Sequence, residues 1–130
     1  MRIALLLAVS TALTACGGGD GGVAPTGATC PAGSTLTYES FGADFMDAYC
    51  LRCHSAEVEI RDRGGAPIDV NFDTLEDILR HAADIDRLAA AGPDSVNTFM
   101  PPSGDEPSED ERRQLGEWLA CGAPSLADPE

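Results

Sequence analysis

The sequence predicts an all-α fold, a small domain of three main helices joined by long loops. Two observations carry this: three segments repeat apolar side chains at helical spacing, two of them behind a capping-box pattern, and no two segments alternate as a strand pair would. In the first segment Phe41, Phe45, Ala48 and Tyr49 fall at i, i+4, i+7 and i+8. With Ser40 as N-cap, a helix is expected from about Phe41 to about Cys53. In the second, Asp73 and Glu76 form a capping box, and Leu75, Ile78, Leu79, Ala82, Ile85 and Ala89 keep one apolar stripe until Gly92-Pro93 stops it. In the third, Ser108 and Glu111 form another box, Leu115, Trp118 and Leu119 share a face, and Gly122 is placed to cap the C-terminus. Short Pro-rich stretches near Pro67, Pro101 and Pro107 read as loops between helices.

With 130 residues, one small domain is the most the chain allows. Its basic residues are eight Arg and no Lys, and the formal net charge is -14. A nucleic-acid surface needs cations to neutralise phosphates, so that class of partner is excluded. Aromatic residues make up 5% of the chain against 43% hydrophobic, so the core must use small residues or borrow bulk from elsewhere.

Met1-Arg2 followed by the apolar run Ile3 to Leu13 has the form of an export signal and is too short for a comfortable membrane span. Leu13-Thr14-Ala15-Cys16 resembles the lipobox of bacterial lipoproteins, which implies cleavage after residue 15 and lipid on Cys16. The alternative is an ordinary signal peptide with a chance cysteine. The glycines from Gly17 to Gly22 cannot pack a core, so 16–29 reads as a flexible tether and 30–130 as the folded domain.

Cys50-Leu51-Arg52-Cys53-His54 is the C-x-x-C-H pattern of covalent c-type haem attachment. Two thiols three positions apart on one turn can add to the two haem vinyl groups, and the next residue then reaches the iron. His54 would ligate through one ring nitrogen while the other needs an acceptor. Two further readings are a C-x-x-C redox pair and part of a zinc site. The first lacks βαβ surroundings; the second lacks a further Cys pair and has only His81 as another histidine. For the sixth iron position, Met46 lies one turn before Cys50 and cannot reach the far side. Met100 sits in Asn97-Thr98-Phe99-Met100-Pro101-Pro102, where prolines lower the entropy cost of holding a thioether on the metal. Met100 is the expected ligand and His81 its rival; a methionine that merely fills a core gap is the alternative.

At these residues the chain resembles the class I c-type cytochromes, from about Phe41 to Ala123. The resemblance implies a cytochrome c-like domain wrapped around one covalent haem c, with Cys50, Cys53 and His54 as the attachment site and His54 and Met100 as axial ligands. Gly65-Ala66-Pro67 is similar to the family's Gly-x-Pro after the haem motif, which implies the Pro67 carbonyl as acceptor for His54. It also implies a crossing of first and last helices, here through Phe41, Phe45, Trp118 and Leu119, with Gly42 or Ala48 permitting close approach. Two features depart from the family: no Lys ring of the mitochondrial kind, and an arm from Cys30 before the first helix.

Cys16 for lipid and Cys50 and Cys53 for haem leave Cys30 and Cys121, and in an oxidising compartment a disulfide is the economical reading, with free thiols as the alternative. The expected function is single-electron transfer between cell-envelope redox partners by a monomer on the periplasmic side. Gly17 after the lipidated cysteine, where an Asp would favour inner-membrane retention, points to the outer membrane. Arg52, Arg61 and Arg63 are candidates to pair with the propionates, and the acidic surface calls for partners with a basic docking patch. Two other functions stay open: a haem peroxidase or gas sensor with a labile Met100, and a haem-free zinc-binding or structural lipoprotein.

Overall fold

The computed structural model describes residues 24–127, so the export signal and Cys16 lie outside the described residues. The described chain is all-α. A π-helical turn at Tyr38–Gly42 runs into α1 (Ala43–Tyr49), a 3-10 turn at Ile60–Asp62 interrupts a long loop, and α2 (Leu75–Arg80), α3 (Ala82–Ala89) and α4 (Glu109–Ala120) follow. Among these residues no helix is long and apolar enough to cross a membrane.

The first helical segment starts earlier and ends sooner than its apolar spacing predicts. Thr37, not Ser40, is the N-cap: its hydroxyl accepts the Ser40 amide while the Ser40 hydroxyl accepts the Thr37 amide. The α-helix stops at Tyr49, and Cys50 to Cys53 lie in the tight turn after it, closed by Cys53 and His54 amides on the Cys50 carbonyl at 3.1 and 2.9 Å.

The single second helix of the sequence reading is two helices. The stripe is continuous, but the backbone breaks at His81 (φ -108°, ψ 10°), between α2 and α3. Nor does Asp73 cap α2. Thr74 does so by accepting the Asp77 amide at 3.1 Å, and the Asp73 carboxylate instead takes the Ser55 hydroxyl and the Ala56 amide at 2.5 and 2.8 Å.

In α4 the expected box forms, with the Ser108 hydroxyl and Glu111 carboxylate satisfying each other's amides. At its other end Gly122 takes φ +84°, and the Gly122 and Ala123 amides donate to the Leu119 and Trp118 carbonyls at 2.9 Å each. That is a Schellman cap, which glycine enters without a Cβ clash.

The core gathers Phe45, Met46, Ile78, Ile85, Leu115 and Trp118, all buried. Trp118 stacks on Tyr38 and meets Phe41 edge-on, with centroids 6.4 and 6.1 Å away, so α4 crosses the first helical segment at the indole. Gly42 is the close-approach residue, and Ala48 is exposed. A Cβ on Gly42 would stand 2.5 Å from two indole carbons that are themselves wholly buried. Gly42→Ala is therefore expected to lower stability by about 1–2 kcal/mol, the overpacking cost exceeding alanine's gain of up to ~1 kcal/mol in helix propensity. Urea unfolding checks this; an unchanged or higher midpoint would mean the crossing has slack.

Cys30 and Cys121 form a disulfide with Cα atoms 4.7 Å apart. The folded chain begins before Cys30, where the sequence reading placed a tether to residue 29. Thr26 is 1% exposed, and its amide and hydroxyl donate to the Asp86 carboxylate at 2.9 and 2.5 Å. Asn97 extends the same strap, its amide nitrogen donating to the Ala24 and Asp86 carbonyls at 2.9 Å each.

Candidate functional site

The turn after α1, the loop 63–72, helix α3 and the loop after it enclose a cavity of about 360 Å³. That lies in the ~300–1,000 Å³ range of ligand and cofactor sites. Cys50, Cys53, His54, Pro67, His81 and Met100 all line it, and the rest of the wall is mainly apolar, including Phe45, Ile85, Leu88 and Pro101. Met46, by contrast, is packed in the core.

Both cavity cysteines are free thiols and half-buried. Burial pushes the Cys50 thiol up to about 12, against the opposing charges of Arg52 and Arg112. A redox-active C-x-x-C pair needs a stabilised thiolate, and this environment does the reverse. Zinc is no better served: among the described residues no three His, Cys, Asp or Glu side chains cluster closely enough to hold a metal ion.

His54 is fixed on three counts by the short segment 70–72. Its Nδ1 hydrogen-bonds the Val70 carbonyl at 2.9 Å, its own carbonyl accepts the Phe72 amide at 2.8 Å, and its ring stacks on Phe72 with centroids 4.7 Å apart. With Nδ1 as donor to that carbonyl, Nε2 is left as the lone-pair nitrogen. Burial lowers the His54 pKa, the Val70 hydrogen bond opposes this, and the Arg63 and His81 charges add to the lowering. The neutral ring thus favoured is the form that ligates metals.

The acceptor is therefore Val70 and not Pro67, as the Gly-x-Pro resemblance implied. The Pro67 carbonyl is taken by Arg63 Nη2 at 2.7 Å. Arg63 is 1% exposed and is not available to a propionate. Its guanidinium also donates to the carbonyls of Ser55, Ala66 and Val70 and to Asn71 Oδ1, which folds the whole loop around one cation. Arg61 is exposed and pairs with Glu59 and Asp62 at 3.5 and 3.6 Å. Arg52 and Arg63 both line the cavity, but only Arg52 is half-exposed there, where it donates to the Ser103 and Asp105 carbonyls.

Met100 reaches the cavity on a loop held at both ends of its peptide unit. Its amide donates to the Leu88 carbonyl and its carbonyl accepts Arg112 Nη1, each at 2.8 Å. His81 meets the edge of Phe72 with centroids 5.9 Å apart, so both histidines contact the same phenyl ring. His81 and Met100 thus reach the cavity from different segments, the break between α2 and α3 and the loop before α4.

Sequence reasoning missed Val70, Phe72 and Arg112, and it gave Arg63 another role, that of a propionate partner. Only Arg112 left a signal, since it precedes Leu115 by three residues and Leu119 by seven, on the buried face of α4. The donor set fits haem c: two free thiols in a tight turn, an oriented imidazole next to them, a thioether on a braced loop, and an apolar cavity between. Comparisons with protein-family models, with curated proteins and with solved structures find no match.

Proposed function

We propose that this chain is a lipid-anchored, monohaem c-type cytochrome that carries single electrons between redox partners of the cell envelope. The supporting observation is that one apolar cavity collects the two free thiols of C-x-x-C-H, the oriented His54 and Met100. Bound haem would supply reversible one-electron chemistry at its iron.

The chain's residues have separate tasks. The Cys50 and Cys53 thiols would add across the two vinyl groups, sulfur to one carbon and hydrogen to its neighbour, so no external oxidant is needed. His54 Nε2 and the Met100 sulfur would hold the iron, a donor pair that would raise the reduction potential. The apolar wall excludes water. The net charge of -14 suits redox partners with a basic docking patch, whose association should slow as salt rises. Cys16 would carry the lipid, on the periplasmic side and at the outer membrane.

The test is the absorption spectrum of purified holoprotein, oxidised and reduced. A covalent low-spin haem with a weak methionine-to-iron band in the red is expected. A high-spin ferric spectrum would point to a peroxidase or gas sensor, and a colourless protein to a haem-free lipoprotein. Met100→Ala should abolish the red band and lower the potential. If neither changes, Met100 is not the ligand and His81 is the next donor on the cavity wall.

A further inference from the structure

We infer that Arg63 is a positioning residue for His54, sharing the carbonyl that orients the imidazole and so setting how strongly that ring donates to iron. The inference rests on the haem reading above and concerns a residue that the C-x-x-C-H motif does not include.

The Val70 carbonyl oxygen receives two donors, His54 Nδ1 at 2.9 Å and Arg63 Nη2 at 3.0 Å. A carbonyl has two lone pairs, and the guanidinium takes one of them with a charge-assisted bond; Nη2 divides its two hydrogens among Pro67, Asn71 and Val70, with Val70 the longest of the three. Electron density drawn toward the cation is withdrawn from the bond to Nδ1–H. A metal-bound histidine gains basicity from the acceptor on its other nitrogen, so a weakened acceptor makes a weaker donor.

The charge acts in the same sense. Arg63 is buried, and the five groups around it are four carbonyls and an amide oxygen. Of the loop's carboxylates, Asp73 is engaged by Ser55 and Ala56, and Asp62 lies beside Arg61. Buried charges are ordinarily paired with opposite ones because desolvation costs several kcal/mol per ion. A loop that needed only donors could use a neutral amide. Here the cation is held unneutralised by any ion pair among the described residues, one shared oxygen away from His54, where it opposes loss of an electron. Both effects favour the reduced centre and raise the potential.

The experiment measures the reduction potential and the His54 Nδ1–H resonance of the reduced holoprotein for wild type, Arg63→Gln, Arg63→Lys and Arg61→Gln. Arg61→Gln removes a cation of the same loop that is exposed and already paired. Arg63→Gln should shift the electron-exchange equilibrium with a fixed mediator at least tenfold toward oxidation. Arg63→Lys should shift it less, and Arg61→Gln less than twofold. In both Arg63 variants the Nδ1–H resonance should move downfield as Val70 is left to His54 alone.

An Arg63→Gln potential equal to that of Arg61→Gln, in protein that retains the methionine band, overturns the proposal. Where Arg63→Gln does not fold, Arg63→Lys decides, and an unmoved Nδ1–H resonance overturns it. A wild-type protein without covalent haem overturns the haem reading and this inference together, whereas normal haem with unshifted variants overturns this inference alone.

Discussion

Replacing Arg112 by methionine should lower the unfolding free energy by about 3 kcal/mol and release the loop that carries Met100. Arg112 is 2% exposed, on the inner face of α4, and its Nη1 donates to three carbonyls: Ala89 at 2.8 Å, Asn97 at 2.9 Å and Met100 at 2.8 Å. Its own carbonyl takes the Ala91 amide at 2.8 Å, so this one residue joins α4 to the end of α3 and to the loop beyond. Methionine keeps most of the volume and none of the donors.

Two effects oppose each other in that substitution. Buried charge networks replaced whole by hydrophobic residues are often as stable as before or more so, because the desolvation cost disappears. Here the acceptors are main-chain carbonyls, which stay behind unpaired at about 1–3 kcal/mol each. Three such acceptors outweigh the relief of one guanidinium, which itself leaves Nη2 buried without a partner among the described residues. Arg112→Lys, with its charge and one or two of the bonds, should lose less. Urea unfolding of the three proteins checks the order. A methionine variant within ~0.5 kcal/mol of wild type would show that the loop is held by Asn97 and the Leu88 carbonyl instead, and that Arg112 is only filling space. In holoprotein the same variant should weaken the red methionine band, which loss of α4 packing alone, as in Leu119→Ala, should leave in place.

The contrast between Arg112 and Arg63 shows what the sequence could carry. Helix ends decided within four residues were legible: Ser108 with Glu111, and Gly122 after the last turn. Where two overlapping patterns compete, the local code is silent. Asp73-x-x-Glu76 and Thr74-x-x-Asp77 are equally good boxes, and the choice falls to Thr74 because Asp73 is drawn away by Ser55 and Ala56. The break at His81 was hidden for a related reason. Ile78 and Ile85 both face the core on either side of it, so the apolar stripe runs on where the backbone does not. Arg112 stands on the period of a buried helix face and could have been found there. Arg63 and Val70 lie in a loop with no period at all, so their pairing with His54 needs the folded chain to be seen. The C-x-x-C-H motif, by contrast, is defined by adjacency, and Cys50, Cys53 and His54 line one cavity.

Removing the disulfide by Cys30→Ala with Cys121→Ala should cost ~4 to 5 kcal/mol on the chain-entropy account, since the bond closes a separation of 91 residues. The architecture decides how much of this is realised. After Cys121 the chain is fastened independently of the bond: the Pro124 carbonyl accepts the Tyr38 amide at 2.7 Å and the Trp118 indole at 3.2 Å. Glu39 accepts from the Ser125 hydroxyl and the Leu126 amide at 2.5 and 2.8 Å. These contacts join the C-terminal segment to the first helical turn and survive the substitution. The arm before Cys30 is the part at risk. Its own attachments, Thr26 on Asp86 and Asn97 on the Ala24 carbonyl, lie only a few residues from the disulfide. If they suffice to close the loop, the unfolded chain gains entropy but the native arm stays put, and the full cost appears as a lower urea midpoint with α4 unchanged. If they do not, the arm frays first, and amide exchange at Thr26 and Asp94, whose amide donates to the Thr26 carbonyl at 2.9 Å, speeds up before global unfolding. Unfolding of the double variant beside wild type, with amide exchange on both, distinguishes the two. A loss below ~1 kcal/mol with no faster exchange would overturn the chain-entropy account, meaning that the unfolded chain is already so compact that the cross-link removes little of its entropy.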